Sequence, residues 1–355
     1  MQNERNLYFA IPGNIESASG GYHYNRRMIA GLKGLGWKVE HLPLQGNYPF
    51  CELEDRNKAK TIFSSLASGS LVLVDGLAFG VLPKVAKENK ERLRMLALVH
   101  HPLFMETGLS PPVSEALRGL EQATLRNVRH IIVTSPQTAQ TLVDAFSIPS
   151  SKIHVVLPGT DRPAQHTKPL KKRGCIRLLC VASLIPRKGQ LLLLEALKGL
   201  SSLNWRLDLV GETAFDRSYT DKVIKAIHQF SLERKITIHG VVPHKELTSF
   251  YQNADIFVLP SFYEGYGMAF TEALAHELPI IASGEGAVKD TLPLGSYIYV
   301  APNNSSELIS SLRFLIQEPK ARQAMAKKAR DSVKLLPSWK NSAQSLAAIL
   351  EDVNE

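Results

Sequence analysis

Short apolar runs alternate with longer amphipathic segments along almost the whole chain. This alternation is typical of βαβ units, in which helices join parallel strands and cover the faces of the sheet. The runs predicted to be strands in the first half are Leu7–Ile11, Val39–Leu42, Leu71–Val74, Leu96–Val99, His130–Val133 and Ile153–Leu157. Those in the second half are Ile176–Val181, Arg206–Val210, Ile236–Ile238, Ile256–Leu259, Pro279–Ala282 and Ser296–Val300. The sequence therefore predicts an α/β protein with one series of parallel strands in each half.

Segments with helical periodicity separate most of these runs. They are Gly21–Leu35, Ser114–Asn127, Gln137–Ala145, Gln190–Gly199, Asp221–Phe230, Ala269–His276, Ser305–Leu315 and Ser338–Val353. Between the two series, Pro158–Arg173 holds three prolines and ends in a basic run, which favours a linker. With 355 residues the chain is long enough for two α/β domains. We predict an N-terminal domain over residues 1–165, a C-terminal domain over 166–335, and a helix over 336–355 that packs back on the N-terminal domain.

The net charge of +9 raises the question of a nucleic-acid or membrane partner. The charge is evenly spread, with 18 Lys/Arg against 14 Asp/Glu up to residue 165 and 24 against 19 beyond it. Because there is no basic arm or tail, we predict no nucleic-acid partner. One basic stretch is predicted to be helical, and a solvated face is favoured there over contact with an anionic membrane or acceptor. Its residues are Lys84, Lys87, Lys90, Arg92 and Arg94.

Cysteine usage and hydropathy bear on the compartment. The three cysteines, Cys51, Cys175 and Cys180, are an odd number in a long chain, which favours buried thiols in a reducing environment. There is no signal-peptide core, and no apolar run approaches the roughly 20 residues that span a bilayer. We therefore expect a cytoplasmic protein, with peripheral contact at the inner face of a membrane as the alternative.

Small, polar or charged residues follow most of the predicted strands. In open parallel sheets, ligands bind outside the carboxyl ends of the strands. Two such sheets facing each other would therefore enclose a ligand cleft lined by these positions. They include Pro12-Gly13, Asp75-Gly76, His100-His101-Pro102, Ser183, Gly211-Glu212, Gly240, Pro260-Ser261 and Ser283-Gly284.

The most specific local signal is the segment Pro260–Leu274, where a strand ends and a helix begins near Met268. Gly265 and Gly267 let the backbone approach a ligand, and the free N–H groups of the helix start favour an anion such as a diphosphate. Glu264 is expected in the loop and Glu272 about one turn into the helix. Carboxylates accept hydrogen bonds from vicinal hydroxyl groups, as on a ribose or a hexose. The segment therefore indicates a site for a phosphorylated sugar.

Two further segments support an anionic sugar ligand. Arg187 and Lys188 place two cations beyond the carboxyl end of the strand that ends at Val181, where they would neutralise a diphosphate. A Gly-Gly turn, Gly20-Gly21, precedes the first helix and on its own indicates only a tight turn. No Asp-x-Asp pair follows a predicted strand, so the sequence predicts no Mg²⁺ site.

These motifs, in this order, resemble those of the retaining glycosyltransferases of family four, which have the GT-B architecture. The resemblance runs from Gly20-Gly21 through Pro158–Asp161 to the two glutamates seven residues apart and the closing helix. It implies two Rossmann-like domains that face each other across a cleft. It also implies a metal-independent enzyme that needs no cofactor and uses a nucleotide-diphosphate sugar, a UDP-sugar or GDP-sugar, as donor.

The resemblance assigns roles to individual residues. Glu272 matches the acid that holds the ribose hydroxyls, and Glu264 the acid beside the hydroxyls of the donor sugar. Lys188 matches the lysine that binds the diphosphate. His100, in His100-His101-Pro102, matches the histidine near the donor sugar and the acceptor. The predicted catalytic residues are therefore His100, Glu264, Lys188 and Arg187.

The remaining predicted donor contacts come from loops. The first-domain glycines match a flexible loop beside the diphosphate, and the loops after the second and third strands of the second half match those that border the nucleobase. The segment before the Met268 helix would supply backbone N–H groups. The residues predicted to bind the donor are Gly20, Gly21, Ser183, Gly211, Val242, Gly265, Tyr266, Gly267, Met268 and Glu272.

The chain departs from the family pattern at three places. Ser183 stands where many members have arginine, so the phosphate site relies on Arg187 as well as Lys188. The turn Ser283–Ala287 has only isolated glycines, and Asp290 lies where glutamate is commoner. These departures concern the fine contacts with the donor rather than the fold.

The implied reaction transfers a hexosyl group to an acceptor hydroxyl with retention of the anomeric configuration. No carboxylate stands out as a nucleophile, which suits a same-face mechanism in which the leaving phosphate helps to deprotonate the acceptor. A GT-B epimerase, a phosphorylase and a non-catalytic nucleotide-sugar-binding protein are the alternatives. The acceptor, whether a glycan, a lipid-linked sugar or a small molecule, is not determined by the sequence.

Overall fold

The computed structural model describes residues 5–163 and 174–354. Part of the predicted linker, Pro158–Arg173, and the predicted domain boundary between residues 165 and 166 lie outside these ranges. The described chain forms two compact units. The first runs to Gly159 and resumes at Pro337, and the second runs from Thr160 to Leu336, with Ala18–Gly20 counted in the second.

The first unit is built on a six-stranded sheet whose strands are all parallel. Its strands are β1 (Asn6–Pro12), β2 (Lys38–Leu44), β3 (Leu71–Asp75), β4 (Arg94–Val99), β5 (His130–Val133) and β6 (Ile153–Val155). Its helices up to β6 are α1 (Gly20–Gly34), α2 (Leu53–Ser65), α3 (Gly76–Phe79), α4 (Pro83–Asn89), α5 (Pro111–Leu125) and α6 (Pro136–Phe146). The strand order β2-β1-β3-β4-β5-β6 reverses its direction between β1 and β3, which is where such sheets bind ligands.

The second unit repeats this plan. Its strands are β7 (Ile176–Val181), β8 (Trp205–Val210), β9 (Ile236–Gly240), β10 (Ile256–Glu264), β11 (Ile280–Gly286) and β12 (Tyr297–Val300). Its helices are α7 (Gln190–Lys198), α8 (Arg217–Gln229), α9 (His244–Asn253), α10 (Met268–Ala275), α11 (Val288–Thr291), α12 (Ser305–Gln317) and α13 (Pro319–Ser332). The strand order is β12-β11-β10-β7-β8-β9, so the direction reverses between β7 and β10.

The last helix, α14 (Trp339–Asn354), belongs to the first unit. The ring of Trp339 packs edge to face against His23, with centroids 5.4 Å apart, and the Arg27 guanidinium lies 5.0 Å from the Trp339 ring centroid. The Ser342 hydroxyl donates a hydrogen bond to the Leu157 carbonyl at 2.6 Å. The chain therefore returns to its first unit after completing the second.

Every predicted strand and helix is present, but several predicted ends are wrong. Helices α5 and α8 begin three and four residues earlier than predicted, β6 ends two residues earlier, and β10 and β11 extend further. Glu264, expected in a loop, is the last residue of β10. The register shifts between Pro260 and Tyr263, after which the two strands pair again, with Glu264 opposite Gly286. This second pairing also makes most of the predicted turn Ser283–Ala287 part of β11.

The predicted basic helix is also shorter than expected, because α4 ends at Asn89. The Arg92 guanidinium donates to the Phe63 carbonyl at 2.7 Å, and that of Arg94 to the Asn354 carbonyl at 2.7 Å. These two arginines therefore hold the first unit together and are not part of a solvated helical face. Within the described ranges, no helix is both long enough and apolar enough to cross a membrane.

Candidate functional site

The first group of predicted site residues meets where β7 and β10 lie side by side in the second unit. After β7 the chain forms a 3₁₀ turn, Pro186–Lys188, and the end of β10 brings Glu264 to it. The Lys188 ammonium lies 2.7 Å from Oε1 of Glu264, and the Ser261 hydroxyl donates to the same oxygen at 2.6 Å. We call Arg187, Lys188, Ser261 and Glu264 the Lys188 cluster.

The basic side chains of the Lys188 cluster keep the buried Glu264 carboxyl group ionised. The Glu264 carboxyl is only 4% exposed, and burial alone would raise its pKa. The positive charges of Lys188 and Arg187, with hydrogen bonds from Lys188 and Ser261, outweigh burial and hold the pKa of Glu264 below its usual value. The cluster therefore brings two basic side chains to one ionised carboxylate.

Arg187 is held by the backbone of the same strand. Its Nη1 donates to the Tyr263 carbonyl at 3.0 Å, so the guanidinium lies beside the residue that precedes Glu264. A guanidinium presents five N–H donors, and the lysine ammonium presents three. Both side chains therefore carry the kind of donor that phosphate oxygens accept.

The start of α10 follows the Lys188 cluster directly in the chain. Gly265 and Tyr266 are buried, and Gly267 adopts φ +88° before the helix begins at Met268. A Cβ at Gly267 would lie 2.6 Å from the Phe270 ring, so glycine is required both by its conformation and by this contact. The N–H groups at a helix start lack partners within the helix, which makes this a suitable position for an anion.

Glu272, on the second turn of α10, belongs to a separate pair. The Tyr251 hydroxyl on α9 donates to its Oε2 at 2.7 Å, and the Tyr251 ring stacks on His276 with centroids 5.2 Å apart. Burial raises the pKa of Glu272 to about 7; the hydrogen bond from Tyr251 opposes this shift and the charge of Asp161 adds to it. The carboxyl group therefore changes its protonation state near neutral pH.

The other predicted donor residues of the second unit lie at the ends of β7, β8 and β9. The Ser183 carbonyl accepts a hydrogen bond from Nε2 of Gln190 at 2.9 Å. The Gly211 N–H donates to the Gly240 carbonyl at 2.9 Å, and Val242 is half-buried against the core. These contacts support the three loops, and a direct role in donor binding stays a prediction.

In the first unit, His100 follows β4 and joins a hydrogen-bonded network. Its Nε2 lies 3.1 Å from Oδ1 of Asn25, and Nδ2 of Asn25 donates to Oδ2 of Asp75 at 2.6 Å. Nε2 of His100 is also 3.5 Å from Oδ2 of Asp75. Burial would raise the pKa of Asp75, but His100, Asn25 and the Leu77 N–H together hold it below its usual value. The network therefore orients the His100 ring against a buried carboxylate.

The two predicted glycines begin α1. Gly20 is exposed and is the first residue of the helix. A Cβ at Gly21 would lie 3.4 Å from Cδ2 of His100, so this glycine packs directly against the histidine ring. The structure thus brings Gly21 together with His100, and places the Lys188 cluster in the other unit.

Four residues of these networks were given no individual role from the sequence, although two of them, Asp75 and Ser261, were named at the ends of predicted strands. Asp75 is the last residue of β3, and His100 directly follows β4, so both lie at strand ends. Ser261 occupies a comparable position within β10. Asn25 and Tyr251 carry no comparable signal, because each is a polar residue on an ordinary amphipathic helix.

Among residues 5–163 and 174–354, no group of three or more His, Cys, Asp or Glu residues is placed to hold a metal ion. The three cysteines are free thiols, and burial raises the pKa of Cys180 to about 12. This cysteine is therefore not a nucleophile at neutral pH.

Comparison with known families gives two matches that together cover most of the chain. The family described as "Glycosyl transferases group 1" matches residues 161–332, and "Glycosyltransferase Family 4" matches residues 71–162. Among curated proteins, an MMP alpha-(1->4)-mannosyltransferase from Mycolicibacterium hassiacum is 23% identical over 271 residues, which is 72% of this chain and 65% of that protein. The chain spans 53% of the length of another such relative, a mannosylfructose-phosphate synthase from Agrobacterium fabrum that is 23% identical over 242 residues, or 64% of this chain.

Solved structures show the same fold over nearly the whole length. A sucrose-phosphate synthase from Thermosynechococcus elongatus has a TM-score of 0.83 and 19% identity, with 99% of each chain covered. The Anabaena protein HepE, solved in complex with UDP-glucose, has a TM-score of 0.74 and 16% identity, with 98% of this chain and 99% of that chain covered. The two doubly wound sheets thus form the GT-B architecture.

Proposed function

The chain belongs to the group 1 (family four) glycosyltransferases, and we propose that it is a retaining, metal-independent hexosyltransferase that uses a nucleotide-diphosphate sugar as donor. The observation that carries this proposal is the Lys188 cluster. Two cations lie around one buried carboxylate, and the start of α10 follows within four residues of Glu264. A diphosphate needs positive charge and N–H donors, and a sugar needs a carboxylate acceptor.

The chemistry of each residue follows from this arrangement. As the bond between the sugar C1 and the phosphate oxygen breaks, negative charge builds on the leaving diphosphate. Lys188, Arg187 and the N–H groups before Ala269 would stabilise that charge without a metal ion. The acceptor oxygen bonds to C1 on the same face, and its proton passes to the leaving phosphate. The products are the glycoside and a nucleoside diphosphate, so atoms and charge balance.

Glu264 has a different role in this scheme. Its Oε1 already accepts hydrogen bonds from Lys188 and Ser261, and the ionised carboxylate has further acceptor capacity for sugar hydroxyls. Because Lys188 binds this oxygen, the same ion pair would position both the sugar and the diphosphate. In the first unit, His100 is the proposed catalytic residue, and Asn25 and Asp75 orient its ring.

The donor is identified by a thermal-shift screen of UDP-, GDP- and ADP-sugars, each with and without EDTA. A donor present at 100 times its Kd is expected to stabilise the protein by about 2.7 kcal/mol. The stabilising donor is then incubated with acceptors, and NMR of the product gives its anomeric configuration. An inverted product contradicts retention, loss of turnover in EDTA contradicts metal independence, and turnover without an acceptor indicates an epimerase.

Donor affinity is expected to depend on pH through Glu272. The ionised carboxylate accepts two ribose hydroxyls, whereas the protonated group keeps less acceptor capacity. Because the pKa of Glu272 is about 7, affinity should be constant well above pH 7 and should fall as the pH drops through that value. Calorimetry between pH 6 and 8.5 should show a several-fold increase in Kd, approaching about tenfold per pH unit at the acid end.

Two variants test whether Glu272 is the group whose titration causes this pH dependence. Glu272→Gln should bind the donor more weakly at every pH and should lose the pH dependence. Tyr251→Phe removes the hydrogen bond that lowers the pKa of Glu272, so the midpoint should move to higher pH. The titrant is a nucleotide sugar rather than a nucleoside diphosphate, because its doubly esterified diphosphate does not titrate in this range. An unchanged midpoint in Tyr251→Phe contradicts the assignment.

A further inference from the structure

A buried carboxyl group that the proposed reaction does not use lies behind the His100 loop. Glu121, on α5, is 1% exposed, and its Oε2 accepts a hydrogen bond from the Leu103 N–H at 2.9 Å. In the described part of the chain, its other oxygen, Oε1, has no hydrogen-bond partner. Burying a carboxyl group with one oxygen unpaired is costly, and an apolar side chain of similar size would avoid that cost.

The partner of Glu121 is the turn that follows the catalytic histidine. His100 is separated by only two residues from the 3₁₀ turn Leu103–Met105, and the Leu103 N–H begins that turn. Leu103 itself is buried in the core of the unit. A displacement of Leu103 would therefore be transmitted to His100 through two residues, one of which is the conformationally restricted Pro102.

Three residues on one face of α5 contact this turn. The Ser114 hydroxyl donates to the Phe104 carbonyl at 2.8 Å, and the Arg118 guanidinium lies 5.9 Å from the Phe104 ring centroid. Ser114, Arg118 and Glu121 are spaced by four and three residues, which places them on the same side of a helix. Of these three contacts, the one from Glu121 is buried and reaches the residue nearest to His100.

The ionisation state of Glu121 follows from the same contacts. Burial raises the pKa of Glu121 to about 8, and the hydrogen bond from Leu103 opposes this only in part. No charged neighbour is among the causes of the shift. The ionisable groups on α5 and on the helices that contact it are Glu115, Arg118, Lys84, Lys87, Glu88 and Asp144, and His101 and Glu106 flank the turn. The carboxyl is therefore neutral at pH 7, and a buried charge would appear there in mildly alkaline solution.

We propose that Glu121 is a positioning residue for His100: its buried carboxyl group, which accepts a hydrogen bond from the Leu103 N–H, fixes the Leu103–Met105 turn and through it the position of His100. The part that concerns activity rests on the proposed function. The part that concerns the turn does not, because it can be measured without a donor. Ionisation of this interior carboxyl group in alkaline solution is unfavourable, so we expect local opening that weakens its contact with the turn.

Two variants separate the positioning role from simple packing. Glu121→Gln keeps an acceptor for the Leu103 N–H and cannot ionise, whereas Glu121→Met keeps the volume and loses the acceptor. Between pH 7 and 9.5, kcat of the wild type should fall above about pH 8, approaching tenfold per pH unit. Glu121→Gln should have near wild-type kcat at pH 7 and no such fall. Glu121→Met should have a kcat about tenfold or more below that of the wild type at pH 7, with no further fall at higher pH and the donor KM unchanged.

Hydrogen exchange tests the turn directly, whether or not a donor is known. Exchange of the peptide that covers residues 100–106 is measured by mass spectrometry and corrected for the intrinsic effect of pH. In the wild type it should become faster above pH 8, in Glu121→Gln it should stay slow, and in Glu121→Met it should be fast throughout. An alkaline increase that persists in Glu121→Gln overturns the proposal, as does slow exchange in Glu121→Met. If no donor is turned over, the proposed function fails and this exchange still decides the role of Glu121.

Discussion

Replacement of Lys188 by alanine is expected to lower kcat by on the order of 10²–10³-fold and to destabilise the second unit by about 3 kcal/mol. The catalytic loss follows from removing a cation at the proposed position of the leaving diphosphate. The loss of stability follows from leaving the Glu264 carboxylate buried without its main partner, which lies 2.7 Å away in the wild type. Steady-state kinetics and thermal unfolding measure the two effects separately.

The direction of the pKa change explains why stability should suffer. With Lys188 gone, burial of Glu264 is opposed only by Arg187 and Ser261, so the pKa of Glu264 must rise. A carboxyl with a raised pKa binds a proton more readily when folded than when unfolded. Folding of Lys188→Ala should therefore lose stability as the pH rises through the interval between the unfolded and folded pKa values. In the wild type, where the pKa of Glu264 is lowered, the contribution of this group to stability should instead be lost as the pH falls through its folded pKa.

A double replacement separates the effect of an unpaired buried charge on stability from the effect of the missing cation on catalysis. Lys188→Met with Glu264→Gln removes both charges and keeps both volumes, so much of the stability lost in Lys188→Ala should return. Activity should not return, because the cation is still missing. Lys222→Ala, an exposed lysine on α8, is the control for general loss of positive charge and should change neither quantity appreciably. Recovery of kcat in the double variant would show that Lys188 acts only on the fold.

The strands could be predicted because buried parallel strands leave a strong and local signal. Leu71–Val74 is continuously apolar between polar flanks, and β3 is buried along its whole length. The extensions of β10 and β11 could not be predicted in the same way. They depend on a register shift near Pro260 that lets two strands pair again, and such pairing is a property of two segments distant in the sequence.

Among the helices that were not predicted, α3 and α11 are only four residues long, and the longer α9 and α13 have narrow apolar faces. On α13 only Met325 and Ala329 are buried, and on α9 only Tyr251 is. Helices of this kind are stabilised mainly by tertiary packing, so their sequences carry weak periodicity. The same reason explains why Tyr251 was missed as the partner of Glu272.

Site residues could be predicted where a motif fixes the backbone. Arg187, Lys188 and Glu264 were identified individually, but their pairing was not, since Lys188 and Glu264 are far apart in the chain and meet only because β7 and β10 are adjacent. The network of His100 with Asn25 and Asp75 likewise depends on strand order. The candidate residues could thus be named from local sequence, whereas the ion pairs and hydrogen bonds between them depend on which strands are adjacent in the sheet.

Replacement of Gly189 by alanine is expected to have the largest effect on stability of any single methyl group added near the Lys188 cluster. Gly189 follows Lys188, adopts φ +67° and is the residue immediately before α7. A Cβ at this position would overlap the carbonyl oxygen of Pro260 on β10, and neither backbone segment has a flexible group that can move aside. We expect a loss of about 3–5 kcal/mol and a fall in Tm of roughly 6–15 °C.

Two matched glycines separate the causes of that loss. Gly240 adopts nearly the same conformation, with φ +66°, but a Cβ there meets nothing within 4 Å. Gly240→Ala should therefore show only the conformational cost of about 1 kcal/mol. Gly199, at the other end of α7, has φ −67° and a nearest contact of 3.5 Å, so Gly199→Ala should be neutral or slightly stabilising.

The catalytic consequence of Gly189→Ala tests how the fold positions the lysine. Relief of the overlap separates the Gly189 backbone from β10, which carries Glu264, so we expect the distance from Lys188 to Glu264 to increase. A displacement of about 1 Å at such a site can lower the rate by about 10²-fold. We therefore expect kcat to fall although every charged residue is retained, with donor KM rising less. Equal kcat in Gly189→Ala and Gly199→Ala would show that the close approach of Gly189 to β10 does not position the lysine.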